Sequence, residues 1–163
     1  MPTTTTPHRP NHEAMQARDL DAVIAACAPD AVLRSPISHH ASFQGREELR
    51  ELFGVVLDTV DEFRYREEVA AGDTVVYRIE GSIDGHPLEE ALFVRYDDEG
   101  LATDFRVFVR PLSGVTTLLA GLAPRLGRRR SRVRGLLLAL VVRPLAWMTR
   151  VTDRVGARLA LGR

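Results

Sequence analysis

The sequence predicts an α+β protein: one mixed, strongly curved sheet wrapped over N-terminal helices, with a basic amphipathic helical extension at the C-terminus. Three observations predict it. Apolar residues recur at helical spacing up to Val60 and at a spacing of two from Phe63 onward. Helices come first and consecutive strands follow, the order of an α+β domain. Charge is also split along the chain: residues 1–122 hold 11 Arg against 21 Asp plus Glu, a net of −10, whereas residues 123–163 hold 11 Arg against Asp153 alone, a net of +10.

At 163 residues, 45% hydrophobic and 27% charged, the chain has the composition of one ordinary globular domain. A chain of this size buries roughly 70% of its unfolded surface, so it needs no disulfide or metal staple, and the single cysteine, Cys27, agrees. The basic residues are all arginine, the mark of a GC-rich bacterial coding sequence. Residues 1–10, MPTTTTPHRP, lack an apolar core and read as a disordered leader, not an export signal. After Gly135 the longest uninterrupted apolar run is Leu136 to Val142, far short of the ~20 residues of a spanning helix. No transmembrane span is expected, and the expected location is the cytoplasm.

Element by element, Met15, Leu20, Val23, Ile24 and Cys27 give Asn11 to Cys27 a helical spacing, broken at Arg18-Asp19, where Asp19 can cap a new turn. Pro29 stops that helix, Asp30 can cap one short turn, and Val32 to His39 reads as a strand. A second helix, Arg46 to Val60, has Glu47, Glu48 and Glu51 in its first turns and one apolar face through Leu49, Leu52, Phe53, Val56 and Leu57. Four strands follow at Phe63–Ala70, Thr74–Ile83, Leu88–Tyr96 and Ala102–Arg110, separated by AGD, DG and DEG turn signals. Such a sheet leaves a concave mouth for a small ligand. The expected domains are a body over residues 11–126 and a helical tail over 127–163.

The stretches DLDAVIAACAPDAVLRSP, FQGREELRELF, YDDEG and DFRVFVRPL resemble the SnoaL-like branch of the nuclear transport factor 2-like superfamily, which includes polyketide cyclases and ketosteroid isomerases. The resemblance covers Asn11 to about Leu126. It implies a cone-shaped α+β barrel with an internal pocket and a homodimer formed through the outer sheet face. It does not imply a reaction, because this scaffold carries isomerases, cyclases, epoxide hydrolases and inert binding modules. Ketosteroid isomerases use a tyrosine on the first helix, a carboxylate before a proline on the first strand and an acid on a later strand. Those positions fall here on Asn11, Ser35 and Leu92, and the last-strand acid of the epoxide hydrolases falls on Val107. Neither catalytic set carries over.

The candidates that remain are individual residues. Glu90 shares strand parity with Leu88, Leu92 and Val94, which places a carboxyl on an apolar inner face where desolvation raises its pKa. The competing reading is a solvated glutamate just after the DGHP turn. His39 and His40, adjacent on the expected strand, point to opposite faces, so one of them can enter the pocket. Ser35 lies near the mouth and can pair with His39, although no GxSxG elbow accompanies it. Leu92, Phe105 and Val107 are expected as pocket walls, with Tyr77 and Tyr65 as phenolic donors or core. Asp104 and Arg106 share the outer face. No metal or cofactor is expected: His12-Glu13 begins an H-E-x-x-H motif that fails at Gln16, and no phosphate-binding glycine loop occurs.

In the tail, Arg128, Arg129, Arg130, Arg132 and Arg134 precede the apolar run GLLLALVV, and Pro144 is expected to kink the helix that follows or to separate it into two. Beyond it Leu145, Met148, Val155 and Leu159 fall on one face, and Arg150, Arg154 and Arg158 on another, with Trp147 the sole tryptophan. Nucleic-acid binding is disfavoured, since no set of stacking aromatics accompanies the arginines. An anionic membrane surface fits better, at the inner face of the membrane, with docking on the acidic body or a second subunit as the rival. The functional expectation is a cone that binds or transforms a small apolar molecule of polyketide, terpenoid or steroid type. The alternative is a non-catalytic dimeric module recruited to the membrane by its tail.

Overall fold

A computed structural model describes residues 10–162, so the leader expected at residues 1–10 lies outside the described residues except for Pro10, which opens a helix. Helices α1 (Pro10–Gln16) and α2 (Leu20–Ala25) are the two halves of the expected first helix, split at Arg18-Asp19. Arg18 takes a left-handed φ of 57°, and Asp19 caps α2 by accepting from the Ala22 N–H at 3.0 Å. The turn is fastened from outside. The Arg18 guanidinium donates to the carbonyls of Leu57, Val60 and Asp61, at and beyond the C-terminus of α3 (Gly45–Leu57). A cation thus meets the unpaired carbonyls and the negative end of that helix.

The first strand departs from expectation at both ends: β1 runs over Cys27–Arg34, not Val32–His39. Pro29 and Asp30 form no helix cap and lie inside the strand, where its pairing shifts register. A missing N–H is tolerated at such an irregularity, so the proline does not break the strand. The strand stops before Ser35-Pro36, and His39 and His40 are exposed in the turn leading to β2 (Ser42–Gln44). They therefore have no strand parity.

Strands β3 (Glu62–Ala71), β4 (Thr74–Ile83), β5 (His86–Tyr96) and β6 (Ala102–Arg110) are the four expected runs, with β3 slightly longer and β5 starting earlier, at His86. The sheet order is β2-β1-β6-β5-β4-β3; β1 lies parallel to β6, and the other neighbours are antiparallel. The concave face closes over α1 to α3 around Val23, Leu49, Val75, Tyr77, Val94 and Phe105. A second apolar cluster, Val55, Val60, Ile83 and Leu88, is closed by Leu118 and Leu122 of α4 (Leu112–Arg130). The expected boundary at residues 126 and 127 falls inside α4.

The remaining helix, α5 (Arg132–Leu161), continues through Pro144, so of the kink or separation expected there the separation does not occur. The residue whose carbonyl is left without its helical donor is Leu140, on the exposed side of the helix. By length and composition, Arg132–Ala160 is apolar enough to cross a membrane; Arg143-Pro144 interrupts the runs on which the contrary expectation was based. Helix α5 folds back along α4 through small residues, with Gly135, Ala139, Val142 and Ala146 buried against it. A Cβ at Gly135 would stand 2.8 Å from the Pro124 carbonyl oxygen and 3.0 Å from the Arg128 backbone nitrogen. At the far end the Ser113 hydroxyl donates to Asp153 at 2.8 Å, and the hydroxyls of Thr116 and Thr149 meet at 2.5 Å.

Candidate functional site

Strand alternation divides two neighbouring carboxyls. Glu89 faces outward, where Arg78 and Arg110 donate to it at 3.0 and 2.6 Å and hold its pKa below the ordinary carboxylate value. Glu90 faces the cone side of the sheet, where it is half-buried. Its strand neighbours are Leu88 and Leu92, and its cross-strand partners are Ile79 on β4 and Val109 on β6. Among the described residues nothing hydrogen-bonds its carboxyl, and desolvation alone raises its pKa from 4.5 to about 7. It stands at the junction of the two apolar clusters, Ile79 and Leu92 belonging to one and Leu88 and Val109 to the other.

Three rings lie on the same face. Tyr65 on β3 is opposite Ile79, and Tyr77 on β4 is opposite Leu92. The two phenols meet edge to face at 5.6 Å, and the His12 ring of α1 covers both, at 5.3 and 5.5 Å between centroids. Burial, then the charge of Glu90, then Tyr77 raise the Tyr65 pKa, so this phenol stays protonated as a donor. The Tyr77 and Tyr96 hydroxyls lie 3.3 Å apart. His12 Nδ1 is buried, with no hydrogen-bond partner among the described residues. A carboxyl near neutrality, a protonated phenol and an imidazole nitrogen thus face one apolar interior, a set able to take and return a proton. Among the described residues no three His, Cys, Asp or Glu side chains are grouped to hold a metal.

The other expected site residues are dispersed. Ser35 is half-buried just past β1, and its hydroxyl accepts from the Ile37 N–H at 3.1 Å, not from His39. Leu92 and Val107 are partly buried against the core, whereas Phe105 is fully buried and meets Phe53 edge-on at 5.8 Å. On the outer face Asp104 pairs with Arg34 and Arg106. In the tail, Trp147, Met148 and Val155 are exposed. Arg128, Arg129, Arg130, Arg132 and Arg134 cluster at the turn between α4 and α5, and Arg130 reaches Glu51 only at 3.9 Å. Arg150 and Arg154 line an open groove of about 620 Å³ beside Glu62, Arg64, His86 and Glu89, while Arg158 is exposed. His12 is the site residue that sequence reasoning missed. Its one visible signal was the failed metal motif, and its approach to β3 and β4 depends on the turn at Arg18.

Residues 11–113 match the family model of the SnoaL-like domain, and the chain belongs to that family. The fold is the cone of the nuclear transport factor 2-like superfamily. A steroid delta-isomerase from Pseudomonas aeruginosa is similar at 31% identity and a TM-score of 0.63, over 74% of this chain and 85% of that one. A bacterial protein with a cystatin-like fold from Silicibacter pomeroyi is 22% identical, with a TM-score of 0.64 over 82% of this chain and 94% of its own. A protein with a ketosteroid isomerase-like fold from Catenulispora acidiphila, determined in complex with trimethylamine, is 22% identical with a TM-score of 0.55, over 72% and 94%. The last two show the fold alone. No curated protein matches the chain. Nearly all of α4 and all of α5 lie beyond the matched family segment.

Proposed function

We propose that the cone binds a small apolar molecule and that Glu90 moves a proton on it, with the Tyr65 phenol holding the polar atom where charge develops. The observation that carries this is Glu90 itself: a carboxyl on an apolar inner face, without a hydrogen bond, with its pKa raised to about 7. Near neutral pH such a group is present in both forms, so it serves as base and then as acid in one turnover. Leu92 and Val107 are the proposed walls, with Tyr77 beside them; Ser35 is assigned to the mouth and His39 to the surface. The positions that hold the isomerase and epoxide hydrolase groups carry Asn11, Ser35, Leu92 and Val107, so any chemistry here runs on a different set. The likeness to a steroid delta-isomerase favours a polycyclic or similarly flat apolar carbonyl compound as the ligand.

A second reading has its own observation. The apolar face of α5 has no cover, which supports a dimeric module attached at the cytoplasmic face of an anionic membrane, whether or not Glu90 works.

The test uses the full-length chain. Apolar molecules that co-purify are extracted, identified by mass spectrometry and returned to wild type and to Glu90→Gln in deuterated water. Wild type is expected to exchange a carbon-bound hydrogen for deuterium, and Glu90→Gln to bind the molecule without exchange. Equal exchange in both proteins, or none in either while the molecule stays bound, overturns the proton-transfer role.

A further inference from the structure

We infer that α5 is an in-plane membrane helix: it stays docked on α4 and sinks its outward face into one leaflet of an anionic bilayer without crossing it. The inference rests on the membrane reading above and adds to it the geometry of contact. Helix α5 has two opposed faces of different kinds. The inward one is built of Gly135, Ala139, Val142 and Ala146 and is packed so closely on α4 that no larger side chain fits at Gly135. The outward one is large and apolar: Leu136, Leu140, Val141, Trp147, Met148 and Leu159 are each between 58% and 80% exposed. A face of this size left open on a soluble chain marks an interaction site.

The occupant follows from the charges around that face. At 100° per residue, Arg132, Arg143, Arg150 and Arg154 fall within an arc of about 40°, on the flank between the docked and the apolar faces, and Arg158 lies about 40° further round, at the edge of the apolar face beside Leu140. They stand where long cationic side chains reach headgroups while the apolar face is immersed. Four more arginines, Arg128, Arg129, Arg130 and Arg134, surround the turn at Ser131, and in α4 and α5 together the only acid is Asp153, already held by Ser113. A second copy seated antiparallel by the same face about a two-fold axis would bring one arginine flank close to the other, with only Asp153, already held by Ser113, on each helix to offset it.

Length and composition permit α5 to span, but two features oppose it. A spanning α5 would carry Arg143 to mid-bilayer, where an unpaired guanidinium is costly. It would also have to leave α4, whose other face is fixed on the cone through Leu118 and Leu122.

Trp147 makes the two geometries distinguishable. It is the sole tryptophan, lies near the middle of α5 and is exposed on the apolar face. In plane, it sits about 5–10 Å below the headgroup boundary; in a spanning helix, it sits near the centre of a hydrocarbon core about 30 Å thick. Full-length protein is floated with phosphatidylcholine vesicles with and without phosphatidylglycerol, and Trp147 emission is quenched by lipids brominated at shallow or deep acyl positions. The expected result is flotation only with the anionic lipid, a shift of emission to shorter wavelength, and stronger quenching by the shallow label. Leu140→Asp with Met148→Asp, both at exposed positions, is expected to abolish flotation while leaving the circular dichroism spectrum unchanged. Strongest quenching by the deep label overturns the in-plane geometry and leaves the membrane reading standing. Absence of flotation in low salt overturns both, and sedimentation as a dimer with shielded Trp147 would then assign the face to a second copy.

Discussion

Glu89 and Glu90 are adjacent in sequence and opposite in chemistry, and the difference comes from the two-residue period of a strand. One finds two guanidinium groups and is held ionised; the other finds Leu88, Leu92, Ile79 and Val109 and is pushed toward its neutral form. The stability consequence has a definite sign. Between pH 4.5 and about 7 the folded state binds the Glu90 proton more tightly than the unfolded state, so this group destabilises the fold progressively as pH rises through that window. Below 4.5 its penalty is absent, and above 7 it is complete, at most about 3 kcal/mol for a carboxyl that water partly reaches. Glu90→Gln is therefore expected to be more stable than wild type at pH 8 and nearly equal to it at pH 4.5, measured by urea denaturation. An equal difference at both values would mean that the carboxyl is solvated. Parity made Glu90 legible in the sequence. His12 was not legible, because its position over Tyr65 and Tyr77 depends on the left-handed turn at Arg18 and on carbonyls some forty residues away.

At the scale of elements, the sequence overstates proline as a breaker. Pro29 sits inside β1 and Pro144 inside α5, each where tertiary structure leaves the lost hydrogen bond harmless. Strand alternation carries more information, since burying one face fixes parity over a whole run, and β4 and β6 begin and end where the sequence places them. The small residues joining α4 to α5 were visible as glycines and alanines, but their partners were not, because a close approach between helices depends on both surfaces. Gly135→Leu places a side chain against backbone atoms that cannot yield, so it is expected to weaken the hairpin by roughly 1–3 kcal/mol. Gly156→Ala, where a Cβ would meet only Thr152 at 3.9 Å, is expected to stabilise α5 slightly through helix propensity. Amide hydrogen exchange of α5 reads both: faster for the first, unchanged or slower for the second. Unchanged exchange in Gly135→Leu would contradict the close packing of the two helices.

Across the whole molecule the two charge halves are real but do not hold the chain together. Only Arg130 and Glu51, at 3.9 Å, form an ion pair between the basic segment and an acidic residue of the cone among the described residues, and α5 docks through small side chains instead. The charge asymmetry is not neutralised by contacts between the two halves, and Glu90, Tyr65 and His12 are the titratable groups placed on the inner face of the cone. The fold was legible because period, order and turn signals agree. The reaction was not, since the same scaffold serves many chemistries. The central claim is that a desolvated Glu90 carries the chemistry of the cone. Carbon-13 NMR titration of the Glu90 side-chain carboxyl in the full-length protein, assigned against Glu90→Gln, tests it most directly. A midpoint near 7 is the predicted result; a midpoint near 4.5 would place the carboxyl in water and contradict the account.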